Sequence, residues 1–414
     1  MCRFEPRRLE VRWPEVRFIP RHRVVRVLAC LLALSFILSG AASAGSRKKK
    51  PPRRPRNVYQ KYRQAYASAF VVEAESGKIL FEKSPDELRA PASLTKMMTE
   101  LLALEALDRG KVRLTDTLIV PADIRAIRGS RVRLRPGERL PFGDALRAMA
   151  ISSANDAAFT IANHLAGSEP AFVFQMNRRA RELGMLRTRY VNAHGLDRSD
   201  RPGSITTARD LSLLARQLVN HPLTLEISST VSDTIRGCQV IHTTNRLLGA
   251  CDGVDGLKTG YTGKAGFCLC STAERDGMRV VSVLLGATNS RRRFSESAGL
   301  LASAFASFRK IAVIRKGQDL DRACDIIGGS VGSVRLVAGE DVSVLMSSHR
   351  IPDIRVLVEA PLSITSPVLR GAQVGLLRIM VGDSLAAAVP AVAARDVSKA
   401  TLLDKLGARF FAFD

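Results

Sequence analysis

The stretch Arg89-Ala90-Pro91-Ala92-Ser93-Leu94-Thr95-Lys96-Met97-Met98 sets a serine and a lysine three residues apart at the start of an expected helix. Pro91 suits the first turn of a helix. Leu94, Met97, Met98, Leu101, Leu102 and Leu104 then recur with helical spacing. At about 3.6 residues per turn, Ser93 and Lys96 share one face. A serine hydroxyl is a poor nucleophile until a base takes its proton. A lysine can be that base if burial and a second cation lower its pKa. The positive end of the helix dipole favours negative charge developing on the serine oxygen.

Composition limits what surrounds this stretch. The chain has 414 residues and a formal net charge of +24, enough length for two domains. The charge is uneven, since residues 45–56 hold seven cations and no acid. Such a balance suits an anionic surface such as cell wall or lipid headgroups. Nucleic acid is not expected as a partner, because zinc spacing, a helix-turn-helix signal and an aromatic-basic strand motif are all missing from the sequence. Residues 1–44 run in the order of a secretory signal: an Arg-rich start, the apolar run Val27 to Gly40, then Ala42-Ser43-Ala44. Residues 45–57 are too charged and Pro-rich to fold, and read as a basic linker.

From residue 58 to 309 the pattern is α+β. A hairpin is expected from Ala67 to Glu73 and Ile79 to Glu82, around Glu75-Ser76-Gly77-Lys78. The Ser93 helix follows, then an irregular Arg-rich stretch from Leu114 to Arg139. Helices are expected over Gly143 to Ala166 with a break at Ser152 to Asn155, over Glu169 to Leu183 and over Thr207 to Val219. Three strand segments come next: Thr230 to Ile241, Gly253 to Thr259 continuing through Gly266 to Thr272, and Met278 to Ala287. A helix from Ser295 to Phe308 closes the region. Residues 310–396 carry short, β-branched, turn-separated segments (Val331 to Val337, Asp341 to Met346, Ile354 to Glu359, Gly375 to Val381), which read as a small all-β domain without chemistry. In residues 397–414, Leu402, Leu403, Leu406, Phe410 and Phe413 have the spacing of an amphipathic tail helix, which either meets a membrane surface or docks on the β domain.

Ser-x-x-Lys alone is weak. It also occurs at Ser46 to Lys49 and Ser307 to Lys310, both in basic surroundings that read as solvated charge. Two further triplets give Ser93 its weight. Ser153-Ala154-Asn155 lies at the break between helices, and Lys258-Thr259-Gly260 lies on an expected strand. Each occurs once, and in this order the three form the signature of penicillin-binding proteins and class A β-lactamases. Ala154 stands where that signature has Asp. With His194-Gly195-Leu196-Asp197, Asn245-Arg246-Leu247-Leu248 and Tyr261-Thr262-Gly263-Lys264-Ala265-Gly266, residues 58 to 414 resemble the low-molecular-mass penicillin-binding proteins of the peptidase S11 group, which act as D-alanyl-D-alanine carboxypeptidases.

The resemblance implies a β-lactamase/transpeptidase-like catalytic domain, with an antiparallel sheet flanked by helices. It also implies a second domain that the shorter endopeptidase branch lacks, peptidoglycan pentapeptide stems as substrate, β-lactams as covalent inhibitors, and no cofactor or metal. Ser93 would attack the carbonyl between two D-alanines, Lys96 would take its proton, and Ser153 would bridge the lysines and pass a proton to the leaving amine. Asn155 would hold the substrate amide and orient Lys96, with Lys258 keeping Lys96 neutral. Thr259 and Arg246 would bind the terminal carboxylate. The N–H groups of Ser93 and Tyr261 would form the oxyanion hole, with Gly260 at the strand edge. Tyr261 stands where some relatives have His. His194 is expected to hold a turn, and His164 and His242 are given no role.

Two rivals share the site chemistry. A β-lactamase would need a Glu for fast deacylation, and no Glu-x-x-x-Asn follows the Ser153 region. A DD-endopeptidase differs only in lacking the C-terminal domain. A non-catalytic wall-binding protein would not need these residues. For an exported, periplasmic chain, Cys238 and Cys251 are a candidate disulfide around Asn245-Arg246. Cys268 and Cys270, read as pointing to opposite strand faces, are not expected to pair.

Overall fold

The computed structural model describes residues 65–196, 203–348 and 354–401. The signal and linker segments, Asp197 and most of the tail lie outside these residues. The described chain forms two compact units. The larger takes the described parts of Tyr59–Leu320 and Val337–Pro352, and the smaller those of Asp321–Leu336 and Asp353–Asp414.

In the larger unit the hairpin β1 (Ser68–Glu73) and β2 (Ile79–Lys83) comes first. A 3-10 turn, Ala92–Thr95, leads into α1 (Lys96–Asp108). The pair β3 (Thr117–Ile119) and β4 (Arg139–Pro141) frames the Arg-rich stretch. Helices α2 (Phe142–Ala150), α3 (Asn155–Ala166), α4 (Glu169–Glu182), α5 (Ala208–Leu218) and α6 (Pro222–Ser228) follow. Then come β5 (Ser232–Ile235), β6 (Gln239–His242), β7 (Val254–Thr262), β8 (Gly266–Arg275), β9 (Met278–Ala287) and α7 (Ser290–Ser307). The main sheet is antiparallel, in the order β2-β1-β9-β8-β7. This bears out the α+β class.

Side-chain alternation shows that both faces of this sheet are covered. Phe70 and Val72 of β1 join the core shared with α1 and α5, while Val71 joins a second core with Phe294 and Leu301 of α7. Cys268 and Cys270 therefore share the first face, with Leu269 on the other. This corrects the expectation that they point apart, because residues two apart on a strand face the same way. All five cysteines from Cys238 to Cys324 are free thiols, and Cys238 and Cys251 are not joined. Cys238 sits exposed at the β5–β6 turn and Cys251 half-buried before β7.

Helix α1 is buried almost all round, which marks a central helix rather than an amphipathic surface one. It packs against α2, α3, α4 and α5. The segment expected as one strand from Thr230 to Ile241 is instead the small hairpin β5–β6, outside the main sheet. Helix α7 begins five residues before the expected start, because the Asn289 side chain accepts from Arg292 N at 2.8 Å and caps it.

The remaining strands are β10 (Phe308–Ile314), β11 (Asp319–Ile327), β12 (Ser333–Ala338), β13 (Val342–Ser347), β14 (Ile354–Glu359), β15 (Ser363–Thr365), β16 (Gln373–Val381) and β17 (Ser384–Ala393). Strands β10 and β13 pair with each other, and a six-stranded sheet runs β14-β16-β17-β12-β11-β15. Strands β10, β11, β15 and β17 were not foreseen. The expected tail segment from residue 397 begins in extended contact, with Val397 bridged to Val368 and Lys399 to Gly329. The helix expected beyond it lies outside the described residues. Among the described residues no helix is long and apolar enough to cross a membrane.

One turn fixes the approach to Ser93. The Asn192 carboxamide oxygen accepts from His194 N and Gly195 N at 3.1 and 2.6 Å. Gly195 has φ +81°, and a Cβ there would come within 1.8 Å of Ala92 O. Gly195→Ala is therefore expected to cost about 2–4 kcal/mol through strain and clash together. Thermal unfolding of the variant checks this, and an unchanged midpoint would refute the close packing.

Candidate active site

Ser93 lies in the 3-10 turn and Lys96 is the first residue of α1, so the tighter turn rather than a regular helix sets their spacing. Lys96 Nζ lies 2.6 Å from Asn155 Oδ1, 2.8 Å from His194 O and 3.0 Å from Ser93 Oγ. Two of these partners can only accept. A neutral amine has two N–H bonds and one lone pair, so it satisfies both carbonyls and leaves the lone pair for the Ser93 hydroxyl. Burial and the neighbouring Lys258 cation hold the Lys96 pKa well below its usual value. Geometry and electrostatics both make Lys96 a base aimed at Ser93.

Asn155 opens α3. Its Nδ2 donates to Arg128 O at 2.6 Å, so both ends of its amide are engaged by the protein and it orients Lys96. The second Nδ2 hydrogen is what it could offer a substrate. Asp156 beside it accepts from Val132 N and Leu134 N at 3.2 and 3.0 Å, tying the Arg-rich segment to the start of α3. Ser153 is largely buried at the α2–α3 break, with φ +63°, which costs a residue other than glycine backbone strain. Among the described residues no hydrogen bond joins its hydroxyl to either lysine. The bridge expected from the sequence is not made, because Lys96 already spends its three directions elsewhere.

His194 holds a turn as expected, its Nδ1 accepting from Leu196 N at 3.1 Å. Burial, helped by Lys96, lowers its pKa to about 3, so the imidazole is neutral. Its role in the site is its backbone carbonyl, which composition alone cannot reveal.

Strand β7 is an edge strand, with β8 on one side and the Ser93 turn packed beside it. A Cβ at Gly260 would meet Ser93 N at 3.1 Å and Ala92 Cβ at 3.2 Å, so glycine permits this approach. Tyr261 is exposed and stacks on Phe267 with ring centroids 4.2 Å apart. Thr259 Oγ1 lies 2.5 Å from Thr244 Oγ1, and Asn245 Nδ2 donates to Gly256 O at 3.2 Å. These bonds dock the loop that carries exposed Arg246 onto β7.

Lys258 is buried and its Nζ has no hydrogen-bond partner. Its pKa falls to about 7, chiefly by burial, with the Glu100 carboxylate opposing the fall and Arg293 adding to it. Glu100, one turn beyond Lys96 on α1, is pushed up to about 7 by burial, against the pull of Lys258. Arg293 donates to Gly260 O at 3.2 Å and is lowered to about 10 by burial, with Arg246 contributing repulsion. Lys258, Arg246 and Arg293 thus set three cations around the β7 edge. Sequence reasoning missed Glu100 and Arg293. Arg291-Arg292-Arg293 opens a helix, where the dipole disfavours cations, and that mismatch was the signal for Arg293.

A protein-family model for D-alanyl-D-alanine carboxypeptidase (peptidase S11) matches residues 56–289, and one for the penicillin-binding protein 5 C-terminal domain matches 308–399. The chain belongs to the D-alanyl-D-alanine carboxypeptidase family. It is 32% identical to D-alanyl-D-alanine carboxypeptidase DacF of Bacillus subtilis over 80% of this chain and 86% of that one. It is 35% identical to DacC of Escherichia coli over 74% and 78%. Among solved structures it is similar to penicillin binding protein 5 of Haemophilus influenzae, with a TM-score of 0.65, 26% identity and coverage of 85% and 100%. Penicillin-Binding Protein D2 of Listeria monocytogenes, solved in ampicillin-bound and cefotaxime-bound forms, gives a TM-score of 0.54 with 35% identity over 58% and 98%. The two matched segments take in the Ser93 and Lys96 stretch and the β-rich C-terminal residues.

The electrostatic influence of Glu100 on Lys258 has a kinetic consequence. The Glu100 carboxylate raises the Lys258 pKa, so Glu100→Gln lowers it, and Lys258 loses its proton at lower pH. The alkaline limb of kcat/KM for a D-Ala-D-Ala peptide is expected to move down from near pH 7, with KM rising more than kcat falls. A pH–rate profile identical to wild type would show that Glu100 does not act on Lys258.

Proposed function

We propose that this carboxypeptidase removes the terminal D-alanine from peptidoglycan pentapeptide stems through an acyl-enzyme on Ser93. The observation that carries this reading is buried Lys96, whose Nζ lies within hydrogen-bond distance of two carbonyl oxygens and of Ser93 Oγ. Lys96 takes the serine proton as Oγ attacks the carbonyl between the two D-alanines. The N–H groups of Ser93 and Tyr261 receive the oxyanion, which Gly260 supports by letting the two segments approach. Ser153 relays a proton to the departing amine. The terminal carboxylate is held by Thr259 and Arg246, with Lys258 and Arg293 supplying positive potential. Water then releases the shortened stem.

The endopeptidase reading has less support. The Pseudomonas aeruginosa D-alanyl-D-alanine endopeptidase is 31% identical over 68% of this chain, whereas the C-terminal domain match extends to residue 399. We also propose that residues 1–44 export the chain to the periplasm, that residues 45–57 link it to the catalytic domain 58–309, and that residues 310–396 form the second domain. The tail 397–414 is then the segment that could contact the outer face of the cytoplasmic membrane.

A β-lactam presents a strained amide beside a carboxylate, so Ser93 should open its ring. The amine stays tethered after ring opening and obstructs water, and a covalent adduct should persist. Brief exposure to benzylpenicillin, followed by intact-protein mass spectrometry, is expected to show the added drug mass on wild type and none on Ser93→Ala. Lys96→Ala is expected to reduce D-alanine release by roughly 100-fold or more, the scale of lost general-base catalysis. An unmodified wild-type mass with the drug intact would overturn the acyl-enzyme reading.

A further inference from the structure

Beside the site, the Arg-rich segment forms a cationic cleft that the proposed reaction does not use. From residue 131 to 135, arginines alternate with apolar residues. Val132 and Leu134 are buried, while Arg131, Arg133 and Arg135 are exposed on the opposite side. Arg133 has φ +61°, so the backbone turns at this residue instead of running extended. The segment walls an open cleft of about 650 Å³ lined also by Glu138, Arg236 and Gln239. Among the described residues neither Arg133 nor Arg135 has an ion-pair partner on its guanidinium.

The one acid lining the cleft is spent. Glu138 Oε1 accepts from Arg236 Nη1 at 2.8 Å, and Oε2 accepts from Arg135 N at 2.8 Å. Arg236 also donates to Val132 O at 2.6 Å and to the Gln239 side chain. Beyond the Arg236–Glu138 pair, the guanidinium charges of Arg133 and Arg135 are left uncompensated. Val132 and Leu134 hang from Asp156, the neighbour of Asn155, so the cleft wall is fixed to the same helix start that orients Lys96.

We propose that Arg133, Arg135 and Arg236 form a non-catalytic subsite that binds carboxylates carried by the wall polymer whose D-Ala-D-Ala end enters the Ser93 site. This rests on the carboxypeptidase reading. Guanidinium forks suit planar carboxylates, and Arg236 is already held in place by Glu138, Val132 and Gln239. Two exposed guanidinium groups on one cleft wall suit a polymer that carries several carboxylates. The subsite adds affinity for the polymer by linkage and leaves the chemical step alone.

The double variant Arg133→Glu/Arg135→Glu of the full chain tests this, since both side chains are exposed. D-Alanine release is measured on a short acylated D-Ala-D-Ala peptide with no other carboxylate, on uncross-linked strands with free internal stem carboxylates, and on strands with those carboxylates amidated. KM for the carboxylate strands is expected to rise roughly tenfold or more, with kcat unchanged. The short peptide and the amidated strands should respond equally in variant and wild type. Unchanged KM on the carboxylate strands, or equal loss on the short peptide, overturns the subsite. Direct binding of both strand types to Ser93→Ala, with and without the arginine changes, reads the cleft independently of turnover. Failure of wild type to cleave the short peptide would count against the carboxypeptidase reading alone. If the arginine changes abolish binding to vesicles of anionic lipid while strand binding is unaltered, the surface serves a membrane and the proposal fails.

Discussion

The burial of Lys96 is the constraint on which the rest of the site depends. An ammonium taken fully out of water costs several kcal/mol unless it is paired, and the cheaper outcome is to lose its proton. This protein arranges for that loss to be useful. Asn155 and the His194 carbonyl offer acceptors only, so a neutral amine is satisfied there with its lone pair still directed at Ser93. Each acceptor is held by a different device. The Asn192 turn presents the His194 carbonyl, and the start of α3 presents Asn155. Gly195 lets the turn close on Ala92, and α1 is buried all round because it must carry a lysine into the centre of the helical block.

The opposite wall accepts a cost of another kind. Arg293 is repelled by Arg246 and itself repels Lys258, while Glu100 acts on Lys258 in the opposite sense. Stability alone would not collect cations in this way. On the proposed reading, a site that receives a carboxylate gains from their positive potential. The left-handed backbone of Ser153 fits the same account, since strain at a chain break places a hydroxyl where a relaxed turn would not. Lys258, with its unpaired Nζ, and Thr259, bonded to Thr244 of the preceding loop, lie on the same edge strand, so recognition and preorganisation fall on one element.

What the sequence revealed follows from what is local. The three motifs, the α1–α3 pattern, the β9 boundaries and the break at Ser152–Asn155 all have short-range signals, and they stand in the structure much as read. The misses arise where a partner is distant. Glu100 looks like any polar residue on a helix until Lys258 arrives from a strand more than a hundred residues away. Arg293 looks like a surface cation until Gly260 takes its hydrogen bond. Cys238 and Cys251 bracket Asn245 in sequence, but the loop is held by Asn245 and Thr244 instead of a disulfide. Strand β11 was hidden because its charged, alternating sequence lacks the β-branched density that marked its neighbours.

The disposition of the acids bears on the second half of the reaction. Asp156 is committed to Val132 N and Leu134 N, and Glu169 to Ala193 N. Glu100 sits behind Lys258, and among the described residues no carboxylate is hydrogen-bonded to Ser93 or Lys96. On the mechanism proposed above, the proton that water must lose to release the acyl group would fall to Lys96, the same group that activates Ser93. One base for two steps suffices when the first leaving group diffuses away and water takes its place. It fails when the leaving amine remains tethered over the acyl bond. A site tuned by burying one lysine is thus suited to trimming peptides and, by the same economy of groups, poorly equipped to clear a ring-opened inhibitor.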